Sequence, residues 1–325
     1  MKIPLISICI PVYNTEQYLE ECLKSVVDSE CSNLEIIIID DCSPGCDENG
    51  RNCKKIVKEF TRYCRKTVEK GRSVKVLYTR HSVNKGLVET RRNLVYEATG
   101  KYICMLDSDD CLTTDALSLL GKIAQEHDYD IIQGGSKPKK SNVYAGELNG
   151  NEIFHSFFVK QLISPFLWGK LIKREVYLEA LSQIPNTYCN VAEDLLQFFF
   201  ITRVAKSYFG TEQLVYFYRQ EIGMTSNKVI NDLRQWEMVC STASVFAILF
   251  NWRNEQLEST GKDPLTDEEL FSLQSFSYYY IRNNYLQYKN TVATEIKQQA
   301  YELLCEYWGS SFVKRIEDDL IEKNV

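Results

Sequence analysis

The chain has 325 residues, which suits one large domain or two of ordinary size. Apolar residues make up 44% and charged residues 25%, the usage of a folded globular protein, so disorder and collagen-like repeats are excluded. Lys and Arg number 38 against 44 Asp and Glu, a net charge of −6 that excludes a bulk basic field for nucleic acid.

The first residues, Met1 to Ile10, faintly resemble a signal peptide. They lack a small-residue cleavage site and run straight into Pro11-Val12-Tyr13-Asn14, so they read as a buried first strand over Ser7 to Val12. Without a leader the 12 cysteines are expected to be reduced, in the cytoplasm. Cys42, Cys46, Cys53 and Cys64 lack the paired C-x-x-C spacing of a zinc site. Asn14 to Gln17 has the spacing of a capping box, with Asn14 as N-cap, ahead of the helical stripe Tyr18, Leu19, Cys22, Leu23, Val26 and Val27.

Glu35 to Asp40 reads as a fully apolar strand ending in carboxylates. A helix with Ile56, Val57, Phe60, Cys64 and Val68 follows, then the strand Val74 to Tyr78. The stripe Leu87, Leu94, Val95 and Ala98 ends at Gly100, a suitable C′ glycine. Tyr102 to Leu106 is a strand running into Asp107, and Thr113 or Thr114 is placed to cap the helix through Leu117, Leu120 and Ala124. Lys137 to Gly150 reads as a loop or edge hairpin. Beyond about residue 227 the pattern is helical, with Thr266-x-x-Glu269 as a capping box. No apolar run approaches the ~18 residues of a membrane span.

Strands alternating with helices argue a mainly parallel sheet covered on both faces, and such sheets bind ligands at the carboxyl ends of their strands. Three of those ends carry unusual polar groups: Tyr13-Asn14, Asp40-Asp41 and Asp107-Ser108-Asp109-Asp110. Three carboxylates in four residues repel one another unless a cation joins them; the alternative is a solvated turn at an Asp-rich helix start. Asp40-Asp41 reads either as a turn or as an acceptor for a base or ribose. Trp168 reads as core or as a sugar platform. His81, His127 and His155 fit no triad or zinc spacing.

Taken in order, these segments resemble family-2 glycosyltransferases. Ser7-Ile8-Cys9-Ile10-Pro11-Val12-Tyr13-Asn14, Glu35 to Ser43, Asn84-x-Gly86, Arg92-Asn93, Ala98 to Tyr102 and Leu106 to Asp110 carry the likeness, followed by Trp168-Gly169-Lys170-Leu171 and Glu193-Asp194-x-x-Gln197-Phe198. The resemblance covers roughly residues 5 to 220. It implies a GT-A fold, α/β with a mainly parallel central sheet, over residues 1–225: a nucleotide half to about 135 and an acceptor half beyond it. Residues 226–325 would form a helical C-terminal subdomain, either a partner or peripheral membrane surface or a lid serving stability alone.

The resemblance also implies roles. Pro11, Val12, Tyr13, Glu16, Asp40, Asp41, Asn84, Arg92, Asp107 and Ser108 would bind the nucleotide, and Asp109 with Asp107 a Mn²⁺ or Mg²⁺ ion. Trp168, Lys170 and Asp110 would meet the sugars. Asp194 would be the base, supported by Glu193. The activity implied is inverting transfer from a nucleotide-diphosphate sugar, a UDP-sugar, to a glycan or lipid-linked glycan, in the cytoplasm or at the inner face of the membrane. Arg91 replaces the family's usual alanine, and Met224 stands where a serine is common after Tyr218-Arg219. The alternatives are a nucleotidyltransferase and a degenerate glycan-binding subunit.

Overall fold

Runs of isoleucine favour strands, and burial on both faces removes the alternation of a half-exposed strand. Ile6–Val12 (β1) and Leu34–Asp40 (β2) are accordingly buried along their whole lengths. The computed structural model describes residues 4–29, 33–67, 73–187, 189, 191–220 and 229–322. Val68, Met224, Thr225 and Ser226 lie outside them.

Glu16–Asp28 (α1) follows β1, and β2 leads through Cys53–Thr67 (α2), Val74–Arg80 (β3) and Leu87–Glu97 (α3) to Tyr102–Met105 (β4). β1 pairs with β2 and β4, and β2 with β3, all in parallel. The register sets Val12 beside Asp40 and Asp40 beside Arg80, so three strands end on one line.

The chain continues through Cys111–Leu112 (β5), Ala116–Glu126 (α4), Ile131–Lys137 (β6), Gly146–Asn149 (β7) and Asn151–Phe158 (α5). Lys170–Lys173 (β8), Arg174–Ser182 (α6), Glu193–Val204 (α7) and Ser207–Phe217 (β9) complete this part. Among the described residues the strands form one sheet in the order β3-β2-β1-β4-β8-β6-β9-β5, with β7 on β9. β6 and β9 run parallel, whereas β8 is antiparallel to β4 and β6, and β5 and β7 are antiparallel to β9. The expected α/β sheet is therefore parallel through β4 and mixed beyond it.

Three local expectations are corrected. α1 starts one residue later than the capping-box spacing implied, because Asn14 adopts φ 57° and Thr15 becomes the N-cap. The Thr15 hydroxyl is spent on Ser108 Oγ, 2.7 Å away. α4 is capped by Asp115, since Thr113 is tied by its N–H and hydroxyl to the carbonyls of Val215 and Leu214.

Gly100 serves close approach rather than the end of α3, whose C-cap is Ala98. A Cβ on Gly100 would lie 2.5 Å from Ser7 Oγ and 2.8 Å from Ser7 N. Its N–H joins the Ser7 hydroxyl and the Thr99 N–H in donating to the buried Glu35. Burial opposes the Glu35 charge, but these hydrogen bonds outweigh it and hold the carboxyl below its usual range. Gly100→Ala is expected to cost about 1–3 kcal/mol in denaturant unfolding, as overpacking of a buried site does.

The chain divides into two compact units, Met1–Ile184 with Gln197–Ile222, and Pro185–Leu196 with Gly223–Val325. The first holds the sheet. The second is helical, with Leu233–Cys240 (α8), Thr242–Thr260 (α9), Asp267–Thr291 (α10), Lys297–Trp308 (α11) and Ser310–Glu322 (α12). Trp236, Ile281, Leu304 and Ile316 form its core, with the aromatic rings of Tyr285 and Tyr288 packed against it. Thr266 and Glu269 make the expected capping box. Among the described residues no helix is long and apolar enough to cross a membrane.

Candidate active site

At the end of β2 the two carboxylates face different tasks. Asp40 is fully buried; its Oδ2 accepts hydrogen bonds from Tyr78 Oη (2.8 Å) and Arg80 Nη1 (2.5 Å), and its Oδ1 from Ser43 N–H (2.7 Å). Asp41 turns to the start of α3, accepting from the N–H groups of Lys85 (2.8 Å) and Gly86 (2.9 Å) and meeting His81 Nδ1 at 2.7 Å. Helix N-termini favour a carboxylate there. Asn84 Nδ2 donates to the Asp41 carbonyl at 3.3 Å. Asp41 and Asn84, both expected to meet the nucleotide, are thus placed in the 81–86 turn.

Above the buried Pro11 and Val12, Tyr13 leaves 46% of its surface exposed, enough for a flat ring to stack on it. The 43–45 turn closes against the same strand end: Asn14 N–H donates to Ser43 Oγ at 3.0 Å, and a Cβ on Gly45 would lie 3.1 Å from Glu16 Oε2. Glu16 is buried and accepts from the Cys53 thiol at 3.6 Å.

The carboxylate turn after β4 is held from several directions. Arg91 Nη2 pairs with Asp107 Oδ1 at 2.8 Å. Just past β9, Arg219 donates from its N–H to Asp110 Oδ1 (2.7 Å), from Nε to the Asp109 carbonyl (2.8 Å) and from Nη2 to Glu21 (2.6 Å). The Tyr216 hydroxyl donates to Asp110 Oδ2 at 2.7 Å and accepts the Asp107 N–H at 3.3 Å. Both Asp110 oxygens are thereby engaged, so Asp110 braces the turn rather than meeting a sugar as expected. Ser108 is buried, its hydroxyl on Thr15.

Burial and the neighbouring Asp107 charge push Asp109 up to about 6 and Asp110 up to about 7. The turn is short of positive charge, and a divalent cation would relieve it. Asp107 and Asp109 offer hard oxygen ligands suited to Mg²⁺ or Mn²⁺. Among the described residues no three His, Cys, Asp or Glu side chains gather to hold a metal. The remaining ligands would then come from a bound substrate's oxygens and from water, as is usual for Mg²⁺.

Three expected site residues are placed elsewhere. Arg92 donates from Nη1 and Nη2 to the carbonyls of Leu181 (3.0 Å) and Ile184 (2.9 Å), satisfying groups at the end of α6. Its neighbour Arg91, about 100° round the helix, is the one that reaches Asp107. Trp168 is sandwiched between Phe166 (centroids 4.6 Å, 8°) and Tyr216 (4.6 Å, 14°), so both ring faces are covered and it offers no sugar platform. Lys170 is fully buried and donates from Nζ to the carbonyls of Ser164 and Phe166, bracing the turn before β8. Trp168→Ala is expected to cost about 3–5 kcal/mol, as deletion of a buried large ring does, visible in thermal unfolding before any substrate is added.

Glu193 and Asp194 open α7 in the second unit. Ala192 precedes them at φ 63°, a left-handed conformation costing a non-glycine residue about 1–3 kcal/mol. Glu193 is buried and Asp194 half-buried, with Asp194 Oδ1 accepting the Leu195 N–H at 2.8 Å. Burial and the Glu193 charge push the Cys189 thiol up to about 12, and burial with the Asp194 and Glu193 charges raises the Tyr280 hydroxyl. The first-turn amides of α7 stabilise ionised carboxylates at this position.

The family model described as glycosyl transferase family 2 matches residues 7–185, more than half of the chain. The chain belongs to glycosyl transferase family 2. This family-2 glycosyltransferase is 34% identical over 131 residues to glycosyltransferase GlyG of Streptococcus pneumoniae serotype 4, covering 40% of this chain and 38% of GlyG. It therefore spans well under half of that relative's length. The crystal structure of S. aureus TarS 1-349 in complex with UDP superposes with a TM-score of 0.55 at 14% identity, over 98% of this chain and 91% of TarS. Mannosyltransferase PcManGT from Pyrobaculum calidifontis, in complex with GDP-Man and Mn2+, gives 0.55 at 14% identity, over 94% and 74%. These structural likenesses establish the GT-A fold.

Proposed function

We propose that this enzyme moves a sugar from a nucleoside diphosphate donor, a UDP-sugar, to a hydroxyl of a glycan or lipid-linked glycan, with inversion in a single displacement. The carboxylate turn carries the reading: Asp107 and Asp109 stand at the end of a central parallel strand, and burial with like charge raises Asp109 to about 6. Tyr13, exposed at the end of β1, receives the base, with the buried Glu16 at the start of α1 and Asp40 at the end of β2 shaping the floor beneath it. Asp107 and Asp109 would hold a Mg²⁺ or Mn²⁺ ion, which when bound supplies Lewis-acid stabilisation of the departing diphosphate. Asp194 takes the proton of the acceptor hydroxyl, and Glu193 supports it. Attack from the face opposite the leaving group inverts the anomeric carbon.

The test is incubation with a panel of nucleotide sugars and Mn²⁺, water serving as a slow acceptor. Release of nucleoside diphosphate from one donor, with a product of opposite anomeric configuration by NMR, supports the reading. Release of pyrophosphate from a nucleoside triphosphate and a sugar phosphate would mark a nucleotidyltransferase instead.

A further inference from the structure

The end of β9 is flanked on both sides by loops of opposite charge. In register, Phe217 stands beside Lys137 of β6 on one side and Cys111 of β5 on the other. β6 runs parallel to β9 and β5 antiparallel, so the chain after Lys137 and the chain before Cys111 leave the sheet at the same end. Lys139 and Asp109 are each two residues beyond those pairs. The N–H of Tyr218 donates to the Lys137 carbonyl at 2.8 Å, and the next N–H, of Arg219, donates to Asp110 at 2.7 Å. Two interstrand spacings, about 10 Å, separate the two loops.

Lys139 is held in a defined place. Its Nζ lies 4.3 Å from the Phe166 ring centre and 4.7 Å from that of Tyr218, a cation over two aromatic faces. Tyr216 and Tyr218 lie two residues apart and share a side of the chain. Tyr216 is the residue whose hydroxyl reaches Asp110. The ammonium therefore stands on the side of β9 that faces the carboxylate turn, and no carboxylate among the described residues pairs with it.

We infer that Lys139 binds the diphosphate of the donor and stabilises it as it leaves, an assignment that rests on the glycosyl-transfer reading above. As the acceptor oxygen bonds to the anomeric carbon, the bond from that carbon to the β-phosphate oxygen breaks and its electron pair stays on the phosphate. The hydroxyl proton passes to the base, so the diphosphate gains one negative charge. Asp107, Asp109 and Asp110 supply only negative charge, and Arg91 and Arg219 are already paired with Asp107 and Glu21. The ammonium of Lys139 is a cation at this edge that no carboxylate among the described residues neutralises. An interaction that strengthens as charge develops raises kcat rather than ground-state affinity alone.

Calorimetric titration of the full chain with UDP, UMP and uridine, all with Mn²⁺, tests this. Lys139→Gln should weaken UDP binding about tenfold or more, the weight of a charge-assisted hydrogen bond, and leave uridine unchanged. Lys139→Arg should keep UDP affinity within about threefold because the charge is retained. Lys140→Gln, an exposed neighbour, should match wild type. Unaltered UDP affinity in Lys139→Gln overturns the inference while leaving the proposed function standing. Equal loss of uridine and UDP overturns it as well, because the diphosphate would not be what Lys139 recognises. Failure of the wild-type chain to bind UDP at all removes both.

Discussion

Asp194→Asn is expected to lower sugar transfer by roughly 10²–10⁴-fold while nucleotide binding stays close to wild type, the usual share of a general base. The substitution keeps size and shape but cannot take a proton. Ala192 at φ 63° and the first turn of α7 fix the backbone, and Asn retains an oxygen for the Leu195 N–H, so folding should be spared. The adjacent Glu193 is the natural rival. It is buried, and its charge contributes to raising the Cys189 thiol. Single-turnover transfer in Asp194→Asn and Glu193→Gln separates them: collapse only in Glu193→Gln would move the base one residue back. Normal turnover in both would reduce the pair to a helix start.

The second large effect concerns the carboxylate turn. Asp109→Asn should remove the Mn²⁺-dependent part of nucleotide binding and leave the protein folded, since its side chain lies at a turn rather than in the core. The pH dependence has a definite sign. Asp109, at about 6, and Asp110, at about 7, hold protons more tightly in the folded chain than when unfolded. Their charged forms therefore penalise the metal-free fold above about pH 7, and the penalty shrinks progressively as pH falls from there toward the unfolded carboxylate value of about 4. Protons and Mn²⁺ compete for the Asp109 oxygens, so Mn²⁺-dependent affinity should fall as pH drops through about 6. Mn²⁺-dependent binding in Asp109→Asn equal to wild type would contradict the assignment.

How much was legible in the sequence depends on whether its signal was local. The parallel half was readable because Ile36 to Ile39 and Ile6 to Val12 are strands buried on both faces, and their polar ends stood out against that background. β9 was missed: Gly210 and Glu212-Gln213 interrupt its pattern, and the irregular register between β6 and β9 accommodates them. β8 has only four residues with a lysine at each end, both buried through contacts that spacing cannot foresee. Arg91 and Arg92 are adjacent, and periodicity does not say which of them turns to Asp107 and which to α6. The Asp110 role needed Tyr216 and Arg219, more than a hundred residues away. Tryptophan identity alone could not choose between a platform and the Phe166–Trp168–Tyr216 stack.

The most direct measurement is calorimetric titration of the wild-type chain with UDP in the presence of Mn²⁺ and again in excess EDTA. If Asp107 and Asp109 hold a cation that bridges to the diphosphate, Mn²⁺ should strengthen UDP binding by about tenfold or more, each tenfold being about 1.4 kcal/mol. It should leave uridine, which has no phosphate, unaffected. Equal UDP affinity with and without the metal, or a Mn²⁺ effect that uridine shares, would contradict the account of this site.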